Sequence, residues 1–549
     1  MSEHVDFGEL RSVLDGVRTP EQFERLIALM DAGVERVGRG VVEEQWLPYA
    51  SQKLDQWPAR VRRCRRELLR RLEQEGDVCW GRLVKTLDYE YSTLSARRVE
   101  ELGEAKHLQN ITHLDLSNTS VSWTDLNRLA QIAPFELESF SLRKSTSSGA
   151  KDSDIIPLFE SPMLSKIKEI SFPDWSRFGA ASVKTMLERL PLGGLERLDV
   201  HGTGIGTSGL VKVLSCQGFT SLKALDVSGL DFTSKKVSRA FQEAEGLRGV
   251  RALNVSHTGI SLSTMRAASA LPCWTGLEEL DLSGNELGME DVSWLCDVEE
   301  YPALRRLTLL AKGLDEEALE RLFMASCFER VEALSLREAS LTERSVSGEH
   351  GWGSLRELDL SCASLDGECW RALSRCTFWG GLKRLGLESV VTPWLAARPS
   401  RGYYITRASY VERVQELMGE LLDAASLPEE LEALVLRGCC VDEALMRRFL
   451  EQECMETLEL LDLSSYRDET GVSAREVRLL ALSGKCPRLT TLVVDEDHAL
   501  IGALVELAEG EGARSLRELH VRSNYEGGEV TMALRARLPG RVRVVDISA

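Results

Sequence analysis

Apolar side chains recur along this chain in a fixed six-residue frame, L-x-x-L-x-L, with polar residues filling most of the gaps. The frame gives ITHLDL at Ile111, LERLDV at Leu195, LKALDV at Leu222, VRALNV at Val250, LEELDL at Leu277, LRRLTL at Leu304, VEALSL at Val331, LRELDL at Leu355 and LKRLGL at Leu382. It resumes as LEALVL at Leu431, LELLDL at Leu458, LTTLVV at Leu489, LRELHV at Leu516 and VRVVDI at Val542. With the weaker VKTLDY at Val84, LESFSL at Leu137 and IKEISF at Ile167 there are seventeen starts. Most successive starts lie 26 to 28 residues apart, a constancy that identifies a repeat array. Period-two alternation predicts a short strand at each start. Its fourth and sixth residues point into the core and its third, fifth and seventh point outward.

Beyond each strand comes a polar or small residue near position nine (Thr119, Thr203, Thr258, Asn285, Cys439, Asn524) and an apolar one near position eleven (Val121, Ile205, Ile260, Leu287, Val441). Helical stretches with capping signals follow, as in SWTDLNRLAQI from Ser122, TSKKVSRAFQEA from Thr233 and DEEALERLFMAS from Asp315. Each coil is therefore expected to be one strand and one helix. Strands sit about 4.8 Å apart whereas helices need roughly 10 Å, so such a stack should bend, strands inside and helices outside. The expected fold is α/β: a horseshoe solenoid with a parallel sheet on its concave wall, helices on its convex side and an α-helical N-terminal cap. Over residues 84 to 549 the pattern resembles the cytosolic leucine-rich-repeat class with helical convex faces, to which ribonuclease inhibitor and many bacterial repeat proteins belong. Thr or Cys at position nine, in place of Asn, is similar to that class. The resemblance implies the fold and says little about the ligand.

Two regions break the period. Residues 1–80 read as helices (TPEQFERLIALMDAGVERV, EEQWLPYASQKLDQW, ARVRRCRRELLRRLEQEG) and are expected to form a cap or companion domain ahead of a solenoid over 81–549. The interval after Leu382 is 49 residues and contains an insertion at 388–430. Between Pro393 and Tyr410 that insertion carries Trp394, Arg398, Arg401, Tyr403, Tyr404 and Arg407 and no acid.

Charge sharpens the picture. The formal net charge is −19, which disfavours nucleic acid and favours a protein partner with a basic surface. The Arg cluster from Arg60 to Arg71 is interleaved with Val61, Leu68, Leu69 and Leu72, as in an amphipathic helix docked by its apolar side. No apolar run is long enough to span a bilayer, and the polar start MSEHVDFGEL lacks the features of a secretory leader. Thirteen cysteines with no CxxC pair point to reduced thiols, hence to the cytoplasm.

Candidate contacts lie on the expected concave wall and in the insertion. At position five stand Asp199, Asp226, Asp281 and Asp359, and Arg306 stands at position three. His201, Arg337, Arg437 and Arg522 occupy position seven. With Trp394, Arg398, Arg401, Tyr403 and Tyr404 they form the expected partner-binding set, since aromatic residues and Arg concentrate binding energy. No GxxxxGK[ST], HExxH or GxSxG occurs, and eight His are scattered without metal-ligand spacing. Cys440-Val-Asp442 is similar to the nucleophile of bacterial leucine-rich-repeat ubiquitin ligases but falls inside a coil. No catalytic residue, metal or cofactor is therefore expected. The sequence reads as a protein-binding scaffold, with a substrate-recognition adaptor, similar to F-box repeat proteins, as the alternative.

Overall fold

The computed structural model describes residues 7–548 apart from 17, 75–77, 90–91, 106–107, 144–151, 261–263, 265–273, 298–300, 349–350, 391–406, 466–470, 511–512, 524–528 and 540–541. The chain divides into two compact units, Met1–Trp274 and Thr275–Ala549.

The first unit opens with helices Phe7–Leu14, Pro20–Val37 and Leu47–Leu54. A parallel ladder then runs through Arg63–Arg65, Thr86–Asp88, His113–Asp115, Ser139–Ser141, Glu169–Ser171, Arg197–Asp199, Ala224–Asp226 and Ala252–Asn254. In the second unit the ladder comprises Glu279–Asp281, Arg306–Leu310, Ala333–Arg337, Glu357–Asp359, Arg384–Gly386, Ala433–Val435, Leu460–Asp462, Thr491–Asp495, Glu518–Ser523 and Arg543–Ser548. From Thr86 to Ser523 every described strand of the ladder overlaps a hexamer of the sequence frame and pairs the same frame position with its neighbour, whereas the last strand pairs one residue out of the expected frame, Leu519 with Val544, so its frame starts at 541 and not at Val542. The fourth residue of the hexamer is inward: Leu198, Leu225, Leu358, Leu385 and Leu434 are all buried. Each unit is thus a stack of strand-plus-helix coils.

Why the helices start where they do is read from their caps. Asp315, Asp366 and Asp442 accept the N–H of Ala318, Cys369 and Leu445, and Ser122 accepts that of Asp125. These satisfy amides that a first helical turn leaves without partners. Asp442 is therefore a helix cap and Cys440 is buried, so the Cys440–Asp442 pair is structural.

Between strand and helix the chain makes one tight turn, and the turn has its own code. The residue at position eight has positive φ in coil after coil: Asn118 (53°), Asp174 (56°), Gly202 (61°), Gly229 (70°), His257 (53°), Gly284 (67°), Glu338 (57°), Cys362 (58°), Ser389 (50°) and Gly438 (71°). Position nine then turns its side chain back onto a strand carbonyl. Thr203 donates to Val200 O at 2.6 Å, Thr258 to Val255 O at 2.7 Å and Asn285 to Leu282 O at 2.9 Å. The small polar residue noted there satisfies a buried acceptor that the turn would otherwise orphan.

One helix expectation is corrected. Segment 59–76 is not a single helix but a short turn at Ala59–Val61, the first strand of the ladder at Arg63–Arg65, and a helix at Arg66–Gln74. Buried Arg62 explains the break, donating from Nε to Leu83 O at 2.8 Å and from Nη1 to Leu54 O at 3.3 Å. Cys64 fills the inward place that Leu87 fills in the next strand.

The 388–430 insertion does not interrupt the ladder, because Arg384–Gly386 pairs directly with Ala433–Val435. It contributes the helix Arg407–Ala424. Trp370 Nε1 donates to Ala425 O at 3.3 Å at one edge, and Arg448 Nη2 donates to Gly419 O at 2.7 Å at the other.

Candidate functional site

The outward positions of the strands form the open face of each sheet, and their chemistry begins with the position-five aspartates. Each carboxylate turns back to its own strand end. Asp115, Asp199, Asp226, Asp281, Asp359 and Asp462 accept the N–H of Ser117, His201, Ser228, Ser283, Ser361 and Ser464 at 2.8 to 3.1 Å. The second oxygen often reaches the adjacent coil: Ser171 Oγ donates to Asp199 at 2.7 Å, Asn254 Nδ2 to Asp226 at 2.9 Å and Ser335 Oγ to Asp359 at 3.1 Å. These aspartates hold the turn and stitch neighbouring coils together, and they keep part of their charge on the surface. The carboxylates that stand across the ladder from one another are eased by hydroxyl, amide and imidazole donors.

In the first unit Asp199, His201 and Asp226 converge, and the ordering is chemical. His201 Nδ1 lies 2.7 Å from Asp199 Oδ1. This contact, more than the surrounding acids, holds the imidazole above its ordinary range. Asp226 is pushed up, chiefly by burial and then by the facing Asp199. Along the same face a cavity of about 530 Å³ is lined by Arg60, Arg63, His113, Asp115, Glu169 and Arg197, among others. Arg63 is tied to Asp88 at 3.2 Å, whereas Arg60 and Arg197 have no ion-pair partner among the described residues.

The second unit carries a mixed network. Arg306 Nη1 lies 3.3 Å from Glu357 Oε2. Arg337 Nη1 lies 3.6 Å from Asp359 and 4.0 Å from Glu388, which Arg437 also approaches at 3.6 Å. Arg306, Arg337, Asp359, Glu357 and Glu388 line a cavity of about 370 Å³ together with Arg384. Arg384 was not among the expected contacts. It is exposed and has no ion-pair partner among the described residues, and its signal was a basic residue at position three, as at Arg197 and Arg306.

Not every expected residue joins these patches. Asp281 lies two strands from Ala333 and outside the cavity lining. Arg522 is separate, its Nη2 3.5 Å from Asp462 Oδ2 and its buried Nε without an acceptor. Trp394, Arg398, Arg401, Tyr403 and Tyr404 lie outside the described residues.

Nucleophilic chemistry finds no support on the thiols. Twelve described cysteines are free, and burial pushes Cys296, Cys327, Cys376, Cys454 and Cys486 up to about 12, far from reactive thiolates.

Residues 276–298 match the family model described as Leucine Rich Repeat. They span the strand Glu279–Asp281, its turn and the helix Met289–Asp297, one coil of the series. That coil matches a leucine-rich repeat. Among solved structures, the chain is similar to an internalin (inlF) from Listeria monocytogenes, with 13% identity, a TM-score of 0.30, and coverage of 73% of this chain and 88% of that one. It is also similar to the complex of Rad7 and Elc1 from yeast, with 14% identity, a TM-score of 0.41, and coverage of 79% and 86%. No curated protein matches the chain. Among the described residues no helix is long and apolar enough to cross a membrane.

Proposed function

We propose that this leucine-rich-repeat chain is a protein-binding scaffold whose partner docks on the open face of the strand ladder. The reading rests chiefly on one observation: the outward positions of the ladder carry Arg197 and Arg384, exposed and with no ion-pair partner among the described residues, beside partly buried carboxylates. A patch serving only solvation has no need to hold charge in that arrangement. A partner with a basic surface fits the net charge of −19 and the aspartate-rich stretch around Asp199 and Asp226. Trp394, Arg398, Arg401, Tyr403 and Tyr404 of the insertion are proposed as an added clamp. Free cysteines support a reducing compartment, in keeping with a cytoplasmic setting.

The N-terminal helices favour a cap over a recruiting arm. Asp31, on the helix Pro20–Val37, accepts from Arg71 Nη1 at 2.8 Å and Trp80 Nε1 at 3.0 Å, and Leu54 O accepts from Arg62. These contacts fasten the helices to the start of the ladder, as a coil end needs. Crosslinking with mass spectrometry in native lysate tests the scaffold. Crosslinks to a protein should map to the strand face, and Arg384→Glu should abolish them while leaving the fold intact. Crosslinks confined to the outer helices, or turnover of a small substrate by the pure chain with no protein captured, would overturn it.

A further inference from the structure

His201 and Asp226 come from successive coils, yet the ladder aligns Asp199 with Asp226 and so brings the imidazole between carboxylates of adjoining turns. Asp199 Oδ1 sits 2.7 Å from His201 Nδ1. The proton shared across that contact is the one a metal ion would displace, which places the ion on Nδ1 beside Asp199 Oδ1. Nε2, the other ring nitrogen, then keeps its proton and faces a further carboxylate, as is usual for a metal-ligating histidine. Nε2 lies 3.9 Å from Asp174 Oδ1. One donor atom each from Asp199, His201 and Asp226 falls within 4.8 Å of the others.

Charge balance separates this cluster from Asp88, Asp359 and Asp462 of the ladder, each of which has an Arg partner. Asp174 is neutralised by Arg143, whose Nη2 lies 2.8 Å from Oδ2. Among the described residues Asp199 and Asp226 have no Lys or Arg partner; apart from His201, their donors there are the neutral groups of Ser171, Ser228 and Asn254. Two carboxylates therefore face one imidazole without enough positive charge. A proton on His201 removes half of the deficit, and a divalent ion removes all of it.

We propose that Asp199, His201 and Asp226 form a binding site for a divalent transition-metal ion of the zinc class, with Asp174 at its rim. Imidazole nitrogen beside carboxylate oxygen suits that class, whereas calcium and magnesium take oxygen donors. Bonds of about 2.0 to 2.2 Å to nitrogen and oxygen require the donors to draw together on loading, which side-chain rotation of Asp226 can supply. All three ligands are part-buried, so water can complete the coordination shell. The site is independent of the docking reading, because it is measured with metal alone.

Titration of the full chain, first stripped with chelator, with Zn²⁺ by calorimetry and with Co²⁺ by visible absorption tests it. One equivalent should bind, and Co²⁺ should give the intense absorption of low coordination number. His201→Gln and Asp226→Asn should each weaken that binding at least tenfold, and Asp281→Asn, at the same frame position without a histidine, should leave it unchanged. Far-ultraviolet circular dichroism should show each variant folded. No saturable binding, or binding indifferent to His201→Gln in a folded variant, would overturn the site.

Discussion

At the residue scale the turn after each strand is governed by one left-handed position. Gly229 has φ 70°, and a methyl group added there would meet Gly202 Cα only at 3.5 Å, an ordinary contact. The cost of Gly229→Ala is therefore conformational, about 1–2 kcal/mol, and Gly229→Asn should cost less, since Asn118 already serves in this place. Gly204 is different, because its Cβ would lie 1.8 Å from Ser176 O. Urea midpoints should thus fall least for Gly229→Asn, further for Gly229→Ala and furthest for Gly204→Ala. Two histidines shape the response to pH from opposite sides. His201 is raised, chiefly by its hydrogen bond to Asp199, so its contribution is complete below the ordinary 6.5 and is lost as pH rises through the raised value. His113 is lowered, chiefly by burial, so its contribution stands above 6.5 and is lost as pH falls through the lowered value. Unfolding free energy measured against pH should lose its alkaline slope just above 6.5 in His201→Gln. His113→Gln should lose the acid slope just below 6.5, and the reverse assignment would refute both.

At the scale of the element, the strand end is the unit that the aspartates build. Asp359 accepts from Ser361 N at 3.0 Å and from Ser335 Oγ of the adjacent coil. Asp359→Ala leaves the buried Ser361 amide without its acceptor and should cost roughly 1–3 kcal/mol; Asp359→Asn keeps an oxygen there and should cost less in thermal unfolding. The sequence made the strands from Thr86 to Ser523 legible because burial alternates with period two and each inward place is Leu, Ile, Val or Phe. It hid the strand Arg63–Arg65, whose single inward residue is Cys64 between two arginines. The position-eight rule was equally hidden, since Asn, Asp, Gly, His, Glu, Cys and Ser all serve it. The aspartates were visible as outward residues, but a carboxylate awaiting a partner and one closing its own turn are the same letter. Only the ladder register shows that His201 faces Asp226, and the insertion's aromatic residues lie beyond what the structure describes.

For the whole molecule, the decisive property is that each coil touches mainly its neighbours, so stability should be a sum of local terms. Leu385 is fully buried and pairs with Leu358 on one side and Leu434 on the other. Leu385→Ala removes that contact and should cost about 2–5 kcal/mol. In a globular core the loss would be shared by every amide that opens only on global unfolding. In a stack it should concentrate on the strands Glu357–Asp359, Arg384–Gly386 and Ala433–Val435, and fade toward Glu518–Ser523. Leu198→Ala in the first unit should act in the same way on Glu169–Ser171 and Ala224–Asp226, which flank its strand. Native-state hydrogen exchange read by mass spectrometry distinguishes the cases. A protection loss that decays over one or two coils on each side matches nearest-neighbour coupling, whereas an equal loss across all strands of a unit would show that the coils of that unit open together.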